Sequence, residues 1–235
     1  MNGISNRRRG LMRVSGRAAD ALALLLVNQL TSYQITTPAI KDYAFYNASA
    51  LTSVTFPAEL TGSIGAYAFF GAGVRTIHAH RIYSVGQCGF QTNALKTIVI
   101  EYVTKTPDNM TCPIGLQAFR GNNLEVIDFG HIAGFNRAQL FMGQTNLKTM
   151  ILRDTSCVSL SNVDVFASSP FASGGSGGTI YIPEALYDHL GDGTVYDYKA
   201  AANWSTLDGC GTITWAKIEG SAYDGCWADG TPISE

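Results

Sequence analysis

The chain has 235 residues, of which 46% are hydrophobic and only 14% are charged, and its formal net charge is −2. This length can bury a sizeable core in one extended domain or two small ones. A charged fraction well below the usual quarter fits a β-rich or solenoid protein with a largely uncharged polar surface, part of which partners can cover.

The basic residues at the start of the chain form an arm on an otherwise acidic body. Residues 1–17 carry five arginines and no acid, whereas the rest of the chain has 11 basic and 18 acidic residues. Such an arm predicts docking, and nucleic acid is one candidate because arginine neutralises phosphates. The arm has no interleaved aromatic residues and the body has no basic stripe, so protein docking is favoured and nucleic acid is an unlikely partner. The predicted docking arginines are Arg7, Arg8, Arg9, Arg13 and Arg17.

An amphipathic helix is predicted over residues 18–30. Its apolar part is short, begins just after Asp20 and is followed by no A-x-A cleavage site, so we expect neither a signal peptide nor a membrane span. Leu22, Leu25 and Leu26 fall near one face. We expect this helix to cover the first repeat or to self-associate, and residues 1–37 to form a docking or capping unit.

The next part of the chain repeats one pattern six times. Each copy has a phenylalanine, a turn-forming tract and a short β-branched strand, as in "IGAYAFFGAGVRTIHA". The phenylalanines are spaced by 24, 21, 29, 22 and 25 residues. They are Phe45, Phe69, Phe90, Phe119, Phe141 and Phe166, and the leucines before the strands are Leu51, Leu95, Leu124 and Leu147.

Periods of 20 to 30 residues with a leucine before a short strand are typical of leucine-rich solenoids. Each strand is predicted to pair in parallel with its equivalent one repeat away, with alternate residues pointing inward. The Phe and Leu positions enter the same interior, and Asn and Gly tracts supply the turns. No repeat can bury its apolar face alone, so stability depends on stacking.

The pattern "IGxxAFxGxxLxxIxIP" resembles the BspA-like leucine-rich repeats over about residues 35–207. The resemblance implies an α/β repeat fold: a short leucine-rich-repeat β-solenoid with a parallel sheet, an N-terminal helix and a C-terminal cap. The solenoid is expected over residues 38–183. Residues 184–235 are expected to form the cap, with a strand or two over residues 212–218 as a small β-extension.

Possible chemical sites are sparse. Gly174–Gly178 matches G-x-S-x-G around Ser176, but it lies in a glycine loop that lacks the strand and helix of a nucleophile elbow. His78 and His80 share one strand face and can bind a metal only if a third ligand arrives. Asp188, Asp192 and Asp197 lack calcium-loop spacing. We therefore predict a non-enzymatic protein without cofactor or metal.

The five cysteines are scattered and odd in number, and no CxxC or zinc spacing occurs. Cys210 and Cys226 can pair in an oxidising medium, although buried free thiols are favoured.

Three functions are compatible with the sequence. The first is a bacteriophage or prophage virion appendage, in which the arm docks on other virion proteins and the solenoid binds a host surface protein or glycan or decorates the particle; a homo-oligomer, taken as a trimer, is expected. The second, which the resemblance most simply implies, is a secreted bacterial cell-surface adhesin. The third is a glycan hydrolase that uses acids of the tail, and it has no supporting motif.

Overall fold

The structure is a computed structural model that describes residues 26–57, 60–103, 114–132, 134–135 and 137–233, without the side chains of residues 60–62. Of the predicted N-terminal helix, only residues 26–30 belong to this part, and residues 26–29 are helical. The five arm arginines, Leu22 and Leu25 lie outside the described residues.

Most of the regular structure is short strands. The strands are β1 (Ser32–Gln34), β2 (Ser53–Thr55), β3 (Leu60–Ile64), β4 (Thr76–Val85), β5 (Thr97–Val103), β6 (Val126–His131), β7 (Gly134–Phe135), β8 (Thr149–Leu152), β9 (Ser159–Leu160), β10 (Gly178–Ile182) and β11 (Ile213–Lys217). A 3₁₀ turn covers Val163–Phe166, and two short helices follow β10, α1 (Glu184–Tyr187) and α2 (Trp204–Asp208).

The predicted parallel sheet is confirmed. Seven strands pair in the order β11-β10-β8-β6-β5-β4-β3, and all of these pairs are parallel. Residues at the same place in successive repeats lie opposite one another: Ile77 pairs with Ile98, and Ile98 with Ile127. The strands of the second to sixth repeats, β4, β5, β6, β8 and β10, lie next to one another in this sheet, whereas the strand of the first repeat, β2, pairs with β1 in a separate sheet.

A column of stacked phenylalanine rings fills the interior. The rings of Phe45, Phe69, Phe90, Phe119, Phe141 and Phe166 follow one another with centroid separations of 5.0, 4.9, 5.6, 5.6 and 5.7 Å. The planes of neighbouring rings differ by at most 15°. All six rings and the four predicted leucines are buried. The fifth repeat keeps its place in the column although it lacks the Ala-Phe pair found in the first, second and fourth repeats.

Glycines allow successive repeats to approach closely. A Cβ atom on Gly65, Gly86 or Gly115 would lie 2.4–2.6 Å from a backbone nitrogen of the preceding repeat. Real Cβ atoms do not come that near, so the glycine of the "IG" pair is required by backbone contact between repeats. This requirement emerges only from the stacked backbone.

Amide side chains tie neighbouring repeats together inside the stack. The side chain of Asn93 donates to the carbonyl of Phe69 at 2.6 Å, and that of Asn122 donates to the carbonyl of Phe90 at 2.8 Å. Gln144 does the same to Phe119 at 2.6 Å. The sequence pattern predicts turns at the Asn tracts, yet all three side chains are buried and donate to backbone carbonyls of the interior.

The strand expected over residues 212–218 is present as β11. Strand β11 pairs with β10 along its whole length and is the edge strand of the main sheet. Tyr198 and Trp204, which precede β11, are fully buried and pack edge to face at 5.5 Å. Residues after α1 thus contribute to the core.

The four cysteines that the structure describes are free thiols. Cys210 and Cys226 are therefore not paired, and the expectation that the free thiols are buried holds for Cys88 but not for Cys210, which is exposed. Cys157 and Cys226 are half-buried, and Cys112 lies outside the described residues.

We expect Phe90→Ala to lower the free energy of unfolding by about 3–5 kcal/mol, because it removes a fully buried ring from the middle of the column. Urea unfolding followed by circular dichroism measures this. Val195→Ala is the control: its side chain is exposed, so a change within about 0.5 kcal/mol is expected. A loss below about 1 kcal/mol for Phe90→Ala would show that the column does not hold the repeats together.

Candidate functional site

Four aromatic side chains form a patch on the turns of the first two repeats. The ring of Tyr43 stacks on that of Tyr67 at 5.2 Å with an interplanar angle of 1°, and Tyr46 stacks on Phe70 at 5.2 Å and 11°. Within each repeat the two rings are tilted at 5.7 and 5.8 Å. We call these four residues the aromatic patch. Tyr43 is 57% exposed and Tyr46 37%, so their rings present apolar area to solvent.

Backbone geometry fixes the patch rigidly. Tyr43 and Tyr67 have φ values of 59° and 56°, in the left-handed region that bulky residues rarely adopt. Hydrogen bonds to the next repeat hold this conformation, since the N–H of Tyr43 donates to the carbonyl of Ala66 at 3.0 Å. The N–H of Tyr67 likewise donates to Gln87 at 2.9 Å. Later repeats keep the same positive φ but carry other side chains, which are Cys88, Gln117 and Gln139.

A second surface lies on the outer face of the main sheet. Ile127 and Phe129 of β6 point into the core, so the intervening Asp128 belongs to the opposite face. Val99 and Ile151 lie beside Asp128 in neighbouring strands, and all three are fully buried. Burial on the outer face requires a cover.

That cover is residues 218–233, which we call the C-terminal strap. It crosses the strands in order: Tyr223 packs on Tyr181 of β10 with ring centroids 4.9 Å apart, and the carbonyl of Cys226 accepts a hydrogen bond from Arg153, which follows β8, at 2.7 Å. The N–H of Ala228 then donates to Asp128 of β6 at 2.8 Å. The strap ends in a hairpin in which the N–H of Trp227 donates to Thr231 at 2.8 Å.

A buried ion pair anchors the strap. The guanidinium of Arg153 donates two hydrogen bonds to the carboxylate of Asp128, at 2.8 and 2.9 Å, and packs over the ring of Trp227 at 4.9 Å. Burial raises the pKa of Asp128, and the hydrogen bonds from Arg153 and Ala228 partly offset that rise. The ionised carboxylate therefore depends on Arg153.

The two histidines raised as metal ligands are instead paired with carboxylates. His78 contacts Glu101 at 3.0 Å and Asp229 at 2.6 Å, and His80 contacts Glu101 at 2.7 Å. Within the described residues, no group of three or more His, Cys, Asp or Glu side chains is arranged to hold a metal ion.

The aspartates considered for calcium also have other partners. Asp188 lies 3.4 Å from Lys217, and Asp197 accepts hydrogen bonds from the backbone of Gly193 and Lys199. Asp192 accepts from His189 at 2.6 Å, and this bond holds the pKa of Asp192 below its ordinary value. Ser176 lines a shallow depression of about 400 Å³ formed by its own loop and Thr145.

Most of the predicted docking residues lie outside the part of the chain that the structure describes. Of the eight, only Leu26 belongs to the described residues, and its side chain is 59% exposed. The aromatic patch and the strap were both missed as units by sequence reasoning. The repeated Tyr at the position three residues after Ile was the available signal for the patch; no sequence signal indicated the strap.

Parallel strands that recur with the sequence repeat and are joined by turns define a repeat protein. The family model for the BspA type leucine-rich repeat region matches residues 38–157 in six copies. The match covers half of the chain, and the chain belongs to this family, which is typically a non-enzymatic binding or scaffold domain. Comparisons with curated proteins and with solved structures gave no match.

No helix in the described part of the chain has both the length and the hydrophobicity needed to cross a membrane.

We expect Arg153→Met to destabilise the protein by about 3–5 kcal/mol at pH 7, because it leaves the Asp128 carboxylate buried without its cation. Without Arg153 the pKa of Asp128 rises further, so the folded state takes up a proton more readily than the unfolded state. The loss should therefore shrink as the pH falls from 7 to 4. Urea unfolding at the two pH values measures it.

Lys96→Met is the matched control, since it breaks an exposed pair with Glu125 at 2.9 Å and should cost less than about 1 kcal/mol at either pH. An equal loss for Arg153→Met at pH 7 and pH 4 would contradict the assigned role of the ion pair.

Proposed function

We propose that this protein is a non-enzymatic surface-binding protein of the adhesin type that recognises a protein or glycan through the aromatic patch. The observation that carries the proposal is the pair of exposed, rigidly held tyrosines, Tyr43 and Tyr46. Aromatic rings supply contact area at low entropic cost, and tyrosine is enriched at binding hot spots. The stack beneath the rings supports a preorganised surface, because each ring rests on a ring of the next repeat.

We further propose that the repeats form a short solenoid over residues 38–183. The one-repeat register of the strands and the phenylalanine column support it. Terminal repeats of such arrays need a cover. The N-terminal helix, in the unit of residues 1–37, would cover the depression of about 210 Å³ lined by Tyr33, Ile35 and Phe45, among others. Residues 184–235 would form the C-terminal cap.

The test uses fluorescently labelled full-length protein and intact bacterial cells. We expect the double substitution Tyr43→Ser and Tyr46→Ser to reduce cell binding at least about tenfold, because each hot-spot tyrosine contributes about 1–2 kcal/mol. Pretreating the cells with protease or with periodate distinguishes a protein ligand from a glycan.

Tyr196→Ser is the matched control, because Tyr196 is also an exposed tyrosine but lies far along the chain, next to His189. Circular dichroism verifies that all variants fold. Equal binding by the double variant and the control would exclude the patch as the binding surface.

The second candidate function is that of a bacteriophage virion protein, and the arginine-rich arm of residues 1–17 favours it. In this role the arm docks the chain on other virion proteins, and the repeats serve host attachment or decorate the particle as a tail or head fibre component. Homo-oligomerisation, as a trimer, belongs to this proposal.

Intact-mass determination of the protein from its native source separates the two placements. A chain that keeps Met1 and co-purifies with phage particles is the outcome expected for a virion protein. A chain trimmed near Asn28 and recovered from cells is the outcome expected for a secreted adhesin. A monomer by light scattering, free of other virion proteins, would contradict self-assembly.

A further inference from the structure

His78 lies between two carboxylates that belong to different parts of the fold. Its Nε2 is 3.0 Å from Glu101 on β5, and its Nδ1 is 2.6 Å from Asp229 on the C-terminal strap. A carboxylate can only accept a hydrogen bond, and a neutral imidazole has only one N–H to donate. Both contacts are therefore satisfied only when the ring is protonated.

Other charged and titratable groups lie close to the His78 ring. His80, on the same strand, contacts the second oxygen of Glu101 at 2.7 Å. Burial by itself raises the pKa of Asp229, but hydrogen bonds from Thr231 and His78 outweigh it and hold that pKa below its ordinary value. Asp229 is thus ionised throughout the range in which histidine titrates. Beside the ring lies Trp227, whose other partner is Arg153.

We propose that His78 is a pH-dependent latch that holds the tip of the C-terminal strap, residues 228–231, on the outer face of the sheet. When the ring is charged it bridges Glu101 and Asp229. When it loses its proton, one ring nitrogen presents a lone pair to a carboxylate, and the bridge opens. The latch therefore stabilises the closed strap while the ring is charged, and this contribution is absent when the ring is neutral.

The remaining anchors of the strap do not depend on this histidine. Arg153 donates to the carbonyls of Tyr223 and Cys226 at 3.1 and 2.7 Å, and these contacts lie upstream of the tip. The tip therefore opens while the start of the strap stays in place. Opening uncovers Glu101 and the ring of His78, which adjoin the half-exposed His80 and Tyr102. A partner that binds this face therefore meets one surface when the tip is closed and another when the tip is open.

Hydrogen–deuterium exchange of the full-length protein, corrected for the intrinsic pH dependence of exchange, tests the latch. The amide of Ala228, which donates to Asp128, reports on the attachment of the tip. We expect its protection to fall at least about tenfold between pH 5 and pH 8.5 in the wild type. In His78→Gln, which cannot become charged, protection at pH 5 should already equal the low value and should change little with pH.

His189→Gln is the matched control, since it removes a histidine–aspartate contact of 2.6 Å between residues that lie outside the strap. This variant should keep the wild-type pH response. Asp229→Asn should weaken the response without abolishing folding. Protection that does not depend on pH in the wild type, or the same dependence in His78→Gln, would overturn the proposal.

Discussion

The stacking of each repeat on the next is the interaction on which the rest of the molecule depends. One repeat has a strand of a few residues and one phenylalanine, and neither can be buried without a neighbour. The phenylalanine rings follow one another at 4.9–5.7 Å, close to the spacing of paired strands. The same translation therefore satisfies the backbone ladder, the ring column and the buried amides, and the glycines let the backbones come that close.

The aromatic patch results from the same stacking of equivalent residues in successive repeats. Tyr43 and Tyr67 occupy equivalent positions, so the packing that stacks Phe45 on Phe69 also stacks the two tyrosines. Their left-handed backbone conformation is held by hydrogen bonds between repeats. A binding surface of this type loses little entropy when a partner arrives, because folding has already fixed its side chains.

The C-terminal strap organises the molecule in a second way, because it crosses the strands of several repeats. It joins β10, β8, β6 and β4 through contacts that no single repeat contains, and it covers the ion pair of Asp128 and Arg153 on the outer face. The outer face is consequently divided into a covered part around Asp128 and an open part around His80 and Tyr102. Any partner of the sheet face must bind beside the strap or displace its tip.

The sequence by itself determined the repeat, its period, the buried phenylalanines and the parallel sheet, because each depends on residues that recur at a fixed spacing. The sequence could not reveal the pairing of His78 with Asp229, or of Asp128 with the amide of Ala228, which are separated by 151 and 100 residues. Nor did it show that Asn93 and Asn122 are buried, because an asparagine in a turn and one that bonds an interior carbonyl look alike in a local pattern. Tertiary structure decided these features, since each depends on which distant residues the stacking of the repeats and the path of the strap bring together.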